Sequence, residues 1–171
     1  MRTLLALRHA KSSWDQPGLA DIDRQLAPRG QTAAPLIGRH LRKRGWQPDL
    51  VICSPAARTQ ETWQLVQSEI GADIPCKILR TLYLAPPSQI LAVIRRTADD
   101  VGTLMVIGHN PGFERLAVSL SGSGRDKDLA QLRTKFPTAA LAVITFDVAH
   151  WSQAAAGAGR LEAFVRPKDL G

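Results

Sequence analysis

Three short, largely apolar runs, Thr3–Leu7, Leu50–Cys53 and Leu104–Ile107, each stop at a loop that carries arginine or histidine. Continuous runs of this length suit strands covered on both faces, as in a parallel sheet lying between helices. The first run delivers Arg8-His9-Ala10 directly. The second leads through Ser54-Pro55-Ala56-Ala57 to Arg58, and the third leads through Gly108 to His109-Asn110-Pro111-Gly112. In open α/β sheets ligands bind outside the carboxyl ends of the strands, so these loops are candidates for one site. Arginine offers a permanently charged planar fork that matches phosphate. Histidine is a nucleophile or a proton carrier near neutral pH. Two arginines and two histidines at three strand ends would make a site for a phosphoryl group.

The segments between these runs alternate in the way a parallel sheet requires. Helices are expected at Gln31–Arg44, Pro55–Ile70, Pro87–Arg96 and Gly112–Leu120. Further strands are expected at Asp49–Cys53, Lys77–Leu79, Thr103–Ile107, Thr138–Phe146 and Arg160–Val165, the last two paired through the turn Ala154–Gly159. Pro35 conflicts with the first helix and is best tolerated if that helix starts later or bends there; Gly45 ends it. Ala33, Leu36, Ile37 and Leu41 mark its apolar side, and Ile90, Leu91 and Ile94 that of the third helix. Ser121-Gly122-Ser123-Gly124 reads as the start of a flexible polar stretch carrying Arg125, Asp126, Lys127 and Asp128. Strands alternating with helices imply a three-layer α/β/α sandwich with a mostly parallel central sheet. The length fits one domain, residues 1–171.

Charge narrows the partners. The formal charge of +7 favours anions, but part of it sits on Arg39-His40-Leu41-Arg42-Lys43-Arg44, where cations suit a helix C-terminus. No nucleic-acid-binding motif accompanies the charge, so nucleic acid is not an expected partner. No apolar stretch is long enough to span a bilayer. The N-terminus begins like a signal peptide, but Arg8, His9 and Lys11 cut its apolar region short. A cytoplasmic protein is expected, with Cys53 and Cys76 as two buried thiols and a disulfide left open. No metal-ligand spacing is present, and no metal or cofactor is expected.

Leu7-Arg8-His9-Ala10-Lys11-Ser12-Ser13-Trp14 resembles the signature of the histidine phosphatase superfamily in its phosphoglycerate mutase-like branch, with Ala10 where glycine is more frequent. Ser54-Pro55-Ala56-Ala57-Arg58-Thr59-Gln60-Glu61-Thr62 resembles the second family segment and Gly108-His109-Asn110 the third, in the family's order. Small size, Leu26-Ala27-Pro28-Arg29-Gly30 and Tyr83-Leu84-Ala85-Pro86 look most like the SixA-type phosphohistidine phosphatases. The resemblance implies a phosphoglycerate mutase-like fold and His9 as a nucleophile forming a phosphohistidine intermediate. Arg8, Arg58 and His109 would hold the equatorial oxygens, where charge spreads in the transition state. His109 would work as the imidazolium, raised by nearby anionic oxygens. Ser12, Ser54 and Asn110 complete the expected phosphate surround; Ser12 and Ser54 could equally cap turns. Arg58 has an alternative as a surface residue paired with Glu61, and His109-Asn110-Pro111-Gly112 as a turn opening a helix. Trp14 is expected to pack within its loop, and His40 and His150 to lie on the surface.

Many phosphatases and mutases of this branch use a glutamate after the third strand as general acid, but Arg80–Pro87 holds no carboxylate. Asp15, Asp21 and Asp23 are the alternatives in the loop after His9. An alkoxide leaving group needs a delivered proton. A phosphohistidine leaves as imidazole, whose conjugate acid has a pKa of about 6.5, and needs far less help. The expected function is therefore a metal-independent phosphatase acting on phosphohistidine in a signalling or phosphotransfer protein. The alternatives are a phosphatase for a small phosphorylated metabolite and a non-catalytic module that binds phosphorylated ligands.

Overall fold

The computed structural model describes residues 1–171. Seven strands form one sheet: β1 (Arg2–Arg8), β2 (Leu50–Cys53), β3 (Cys76–Ile78), β4 (Thr103–Gly108), β5 (Ser121–Gly124), β6 (Leu141–Phe146) and β7 (Gly159–Val165). Their order across the sheet is β3-β2-β4-β1-β6-β7-β5. Only β6 runs against the rest, since it is antiparallel to both β1 and β7 while every other pairing is parallel. The helices are α1 (Pro28–Arg44), α2 (Ala57–Ile70), α3 (Pro87–Arg95), α4 (Gly112–Leu120) and α5 (Asp126–Thr134).

Two hydrophobic cores follow from the period-two alternation of the central strands. Leu5 and Leu7 of β1, with Met105 and Ile107 of β4, face Ile37 and Leu41 of α1 and Trp63 and Val66 of α2. Leu4, Ala6, Leu104 and Val106 face the other way, onto α3, α4 and α5 through Ile90, Phe113, Leu116 and Leu132. The result is the expected three-layer α/β/α arrangement around a mostly parallel sheet.

Several boundaries differ from expectation. Helix α1 begins at Pro28, earlier than Gln31, because Pro28 occupies a first-turn position whose missing N–H costs nothing. Pro35 stays inside the helix, and the buried side uses Ala34 and Gly38, whereas Ala33 only grazes the core and Leu36 is half-buried outside it. Gly38 is required there, since a Cβ would lie 2.5 Å from the Val66 carbonyl of α2. Gly45 ends α1 in the left-handed conformation at φ 67°, as its sequence position indicates. The largest correction concerns residues 121–134. The polar stretch is an edge strand, β5, followed by a helix, α5. Leu132 anchors that helix in the core, and Arg125 pairs with the buried Asp128 at 2.8 Å. Helix α2 starts at Ala57, leaving Pro55 in the preceding turn. Strand β3 is Cys76–Ile78, one residue earlier than expected. Strand β6 begins only at Leu141, because the Ala139 N–H donates to the His9 carbonyl and the Ala140 N–H turns back to the Pro137 carbonyl.

Candidate active site

Register brings the site together. Arg8 at the end of β1 lies opposite Gly108 of β4, and Cys53 of β2 lies opposite Ile107. The residues one step further, His9, His109 and Ser54, therefore emerge side by side. The His9 N–H donates to the Gly108 carbonyl at 3.1 Å and the Ser54 N–H to the Ile107 carbonyl at 3.0 Å. The His9 and His109 rings lie 5.4 Å apart between centroids. Arg58 enters from the first turn of α2 and is 3% exposed. All four residues singled out from the sequence thus meet at the carboxyl edge of three strands.

The hydrogen bonds fix how each ring can act. His9 Nδ1 lies 2.7 Å from the Ala10 carbonyl; an acceptor there assigns the proton to Nδ1 and leaves the Nε2 lone pair free. Burial, despite that bond, and the Arg58 and Arg8 charges bring the His9 pKa down to about 4. The ring is neutral at pH 7, the state a nucleophile needs. Arg58 Nη2 donates to His109 Nδ1 at 3.2 Å, so His109 carries its proton on Nε2 and donates it to Ser54 Oγ at 2.7 Å. Burial and the Arg58 charge lower His109 to about 3. The imidazolium expected at His109 is therefore disfavoured here: burial and the Arg58 charge outweigh the Asp21 carboxylate, which acts the other way.

Arg8 donates through Nη1 to the Phe136 carbonyl at 3.1 Å. Its Nε is buried without a partner, which leaves a donor free for an incoming oxygen; such orphaned donors are costly. Burial lowers the Arg8 pKa, Glu114 raises it and Arg58 lowers it, although a guanidinium stays charged throughout. Arg58 does not pair with Glu61. It donates through Nη1 to the Asp21 carbonyl at 2.8 Å and through Nη2 to the Asp21 carboxylate at 3.0 Å. Asp21 also accepts from Arg24 Nη1 at 2.8 Å and from the Tyr83 hydroxyl. Partial burial pushes the Asp21 carboxyl upward, but the Tyr83 and Arg24 bonds and the Arg58 charge outweigh it and hold it at about 2.

Other expected residues take more structural positions. Ser54 Oγ both bonds His109 and accepts from the Ala56 N–H at 3.3 Å, so it caps the turn into α2 and orients the ring. Ser12 is buried against Arg24. Asn110 donates to the Phe136 carbonyl at 2.8 Å and accepts from the Glu114 N–H at 3.2 Å, so its amide braces the loop that holds Arg8. Asp15 and Asp23 are exposed and bond to none of the four central side chains. Trp14 does not pack into its loop: it is 72% exposed, with the Arg24 guanidinium 3.3 Å over its ring. His150 is exposed and pairs with Asp99, whereas His40 is half-buried against Trp46. Cys53 is buried, and burial raises its thiol to about 12; Cys76 is only half-buried, and both are free thiols.

Sequence reasoning missed Tyr83 and Arg24. The Tyr83 ring stands edge-on to His109 at 5.4 Å, and burial together with the Asp21 carboxylate raises its phenol. Tyr83 lies in a segment that resembles the SixA type as a whole, but its own part depends on meeting His109 and Asp21 in space. It also missed the 136–140 loop, where Ala139 sits at φ 61° and donates to the His9 carbonyl at 3.0 Å, and where the Ala140 carbonyl accepts from the Arg8 N–H at 3.1 Å.

Comparison with known proteins places this geometry among relatives. Residues 4–83 match the family model described as histidine phosphatase superfamily, branch 1. An uncharacterised protein of Mycobacterium tuberculosis is 38% identical over 164 residues, spanning 95% of this chain and all of that one. The SixA protein of Agrobacterium tumefaciens, provisionally named a phosphohistidine phosphatase, is 31% identical and superposes with a TM-score of 0.82 over 97% of this chain and 98% of its own. The SixA protein of Nakamurella multipartitia, of the same name, is 28% identical, with a TM-score of 0.80 over 97% and 96%. No helix is long and apolar enough to cross a membrane.

Proposed function

The chain belongs to the histidine phosphatase superfamily, branch 1, and from that premise we propose that it is a metal-independent phosphohistidine phosphatase. The observation that carries this reading is His9: neutral, with Nδ1 held by the Ala10 carbonyl and Nε2 unencumbered between two arginines. In the first step His9 Nε2 attacks phosphorus in line, the N–P bond forms, and the bond to the leaving nitrogen breaks. Arg8, through its unpartnered Nε, and Arg58 stabilise the equatorial oxygens. Those cations supply the charge that a metal ion supplies elsewhere. His109 is released from Arg58 as the oxygens take over that guanidinium, and their negative charge then favours its protonation. In the second step water attacks the phospho-His9, orthophosphate leaves, and His9 returns.

The leaving group selects the substrate class. Asp21 reaches the site, yet with a pKa of about 2 it is ionised and holds no proton to deliver at neutral pH. Exchange of one imidazole for another needs no such proton when the substrate ring carries its own. An alkyl phosphate does need it, which is why the metabolite reading is the weaker one. The proposed partner is a phosphorylated protein presenting phosphohistidine, acted on by a single domain, residues 1–171, in the cytoplasm.

The test is phosphate release from a phosphohistidine-bearing domain and from an aryl phosphate, both with EDTA present, by the natural protein and His9→Ala. The expected result is release from the domain that is lost in the variant. Turnover of the aryl phosphate alone would move the search to small metabolites, and turnover surviving in His9→Ala would overturn the covalent route.

A further inference from the structure

A cationic cavity lies beside the proposed catalytic site but shares none of its four central side chains. It has a volume of about 420 Å³ and is lined by Lys11, Arg29, Lys135, Arg166 and Lys168 without a single carboxylate. These cations come from four separate stretches: the loop after β1, the first turn of α1, the end of α5, and the segment after β7. Arg166 is neutralised by Asp169 at 2.9 Å. Lys11, Arg29, Lys135 and Lys168 make no side-chain hydrogen bond or ion pair within the chain. These four exposed cations surround one concavity with no carboxylate in its lining, and a concave surface lined by one sign of charge concentrates ions of the opposite sign.

The lining also restricts what the anion is. The volume falls in the range of small-molecule sites. No aromatic side chain lines it, so nothing is offered for a base or another ring to stack on. Thr134, Thr138 and Gln131 supply hydrogen-bonding groups. We propose that this cavity is a binding site for a compact polyanion carrying several linked phosphate groups, of the inorganic polyphosphate class.

Its position ties it to the catalytic residues. Lys11 is two residues after His9. Lys135, Pro137 and Thr138 flank the backbone groups of Phe136 and Ala139 that hold Arg8 and His9. The cavity therefore borders the loop that sets the Arg8 guanidinium without sharing the pocket.

The test uses tripolyphosphate as the probe, measured by titration calorimetry on the full chain with orthovanadate saturating the catalytic pocket. Binding is expected in the natural protein and in His9→Ala alike. It is expected to weaken at least about tenfold in the double variant Arg29→Ala/Lys168→Ala, since each charge-assisted contact is lost. The charge-preserving pair Arg29→Lys/Lys168→Arg should retain it. Absence of vanadate-resistant binding in the natural protein would overturn the proposal, as would equal affinity in the double alanine variant. A glutamate-rich peptide that binds more tightly than tripolyphosphate through the same cations would also overturn it, in favour of a protein-docking surface. Because His9→Ala retains the cavity, failure here leaves the phosphatase reading standing, and failure of that reading leaves the cavity testable.

Discussion

The two halves of the sheet contribute in different currencies. The parallel half, β3-β2-β4-β1, ends in side chains: Arg8, His9, Ser54, Arg58 and His109 all leave its carboxyl edge. The other half, β6-β7-β5, supplies none of them. Its approach loop supplies backbone instead, through the Phe136 and Ala140 carbonyls and the Ala139 N–H, which grip Arg8 and His9 from behind. Reacting groups can be read from residue identity, whereas the frame that aims them is written in main-chain geometry that many sequences could satisfy.

The largest expected effect falls on the parallel half. His9→Ala should lower phosphate release by at least about 10⁴-fold, the scale seen when a covalent nucleophile is removed. Arg58→Ala should cost roughly 10²- to 10³-fold, as for loss of one preorganised stabiliser of transition-state charge. Steady-state kinetics on one phosphohistidine substrate would rank them, and a reversed order would mean that charge rather than covalency dominates.

A smaller effect probes whether the backbone half is an active frame. Asn110→Ala removes both the donor to the Phe136 carbonyl and the acceptor for the Glu114 N–H. Turnover should fall about tenfold, the effect of misplaced reacting groups, with kcat affected more than KM. Unchanged kcat would make that half a passive support and erase the contrast.

Acid sharpens the comparison, because both perturbed histidines lie on the parallel side. Their folded pKa values, about 4 for His9 and about 3 for His109, lie below the unfolded value of about 6.5. The unfolded chain therefore binds more protons between these limits. Stability is intact above pH 6.5, falls as the pH drops toward 4 and 3, and loses on the order of a few kcal/mol there. Urea unfolding across that range should show the fall, and His109→Gln should flatten it. For the same reason the acid limb of kcat/KM in the free enzyme should lie near pH 4. A limb at 6.5 would mean that His9 is solvated rather than buried.

The smallest effect is expected at Ala139. Its φ of 61° suits glycine, but glycine gives up the buried methyl and gains chain entropy when unfolded. Ala139→Gly should change stability by less than about 1 kcal/mol and leave turnover within twofold. A larger loss of activity would show that the constrained residue itself sets the His9 carbonyl.

The same contrast explains what could be read from the sequence. Strands β1, β2 and β4 announce themselves because a strand buried on both faces needs an unbroken apolar run. Their ends, together with the family resemblance of the segments that follow, single out the four central residues. Strand β5 has no apolar side chain, since its Gly122 approaches the Gly157 carbonyl too closely for a Cβ, which would lie 2.0 Å away. Helix α5 buries little beyond Leu132, which gives no helical period to detect. Asp21 could not be told from Asp15 and Asp23, because selection among them depends on where a long loop crosses Arg58 and Tyr83. The role of Tyr83, whose segment the sequence did mark, was illegible for a related reason: it depends on meeting His109 edge-on, a tertiary fact.

The Asp21 carboxylate on Arg58 has one further consequence. It is an anion already seated at the guanidinium proposed to hold phosphate, tethered by the chain and thus present at an effective concentration on the order of millimolar or more. Any phosphoryl group arrives by exchange with it and not into an empty seat. In the proposed reaction, orthophosphate left after turnover would face a rival that never diffuses away, which favours its release. A phosphoryl group on the proposed protein substrate, held by further contacts, would be displaced less easily than free phosphate.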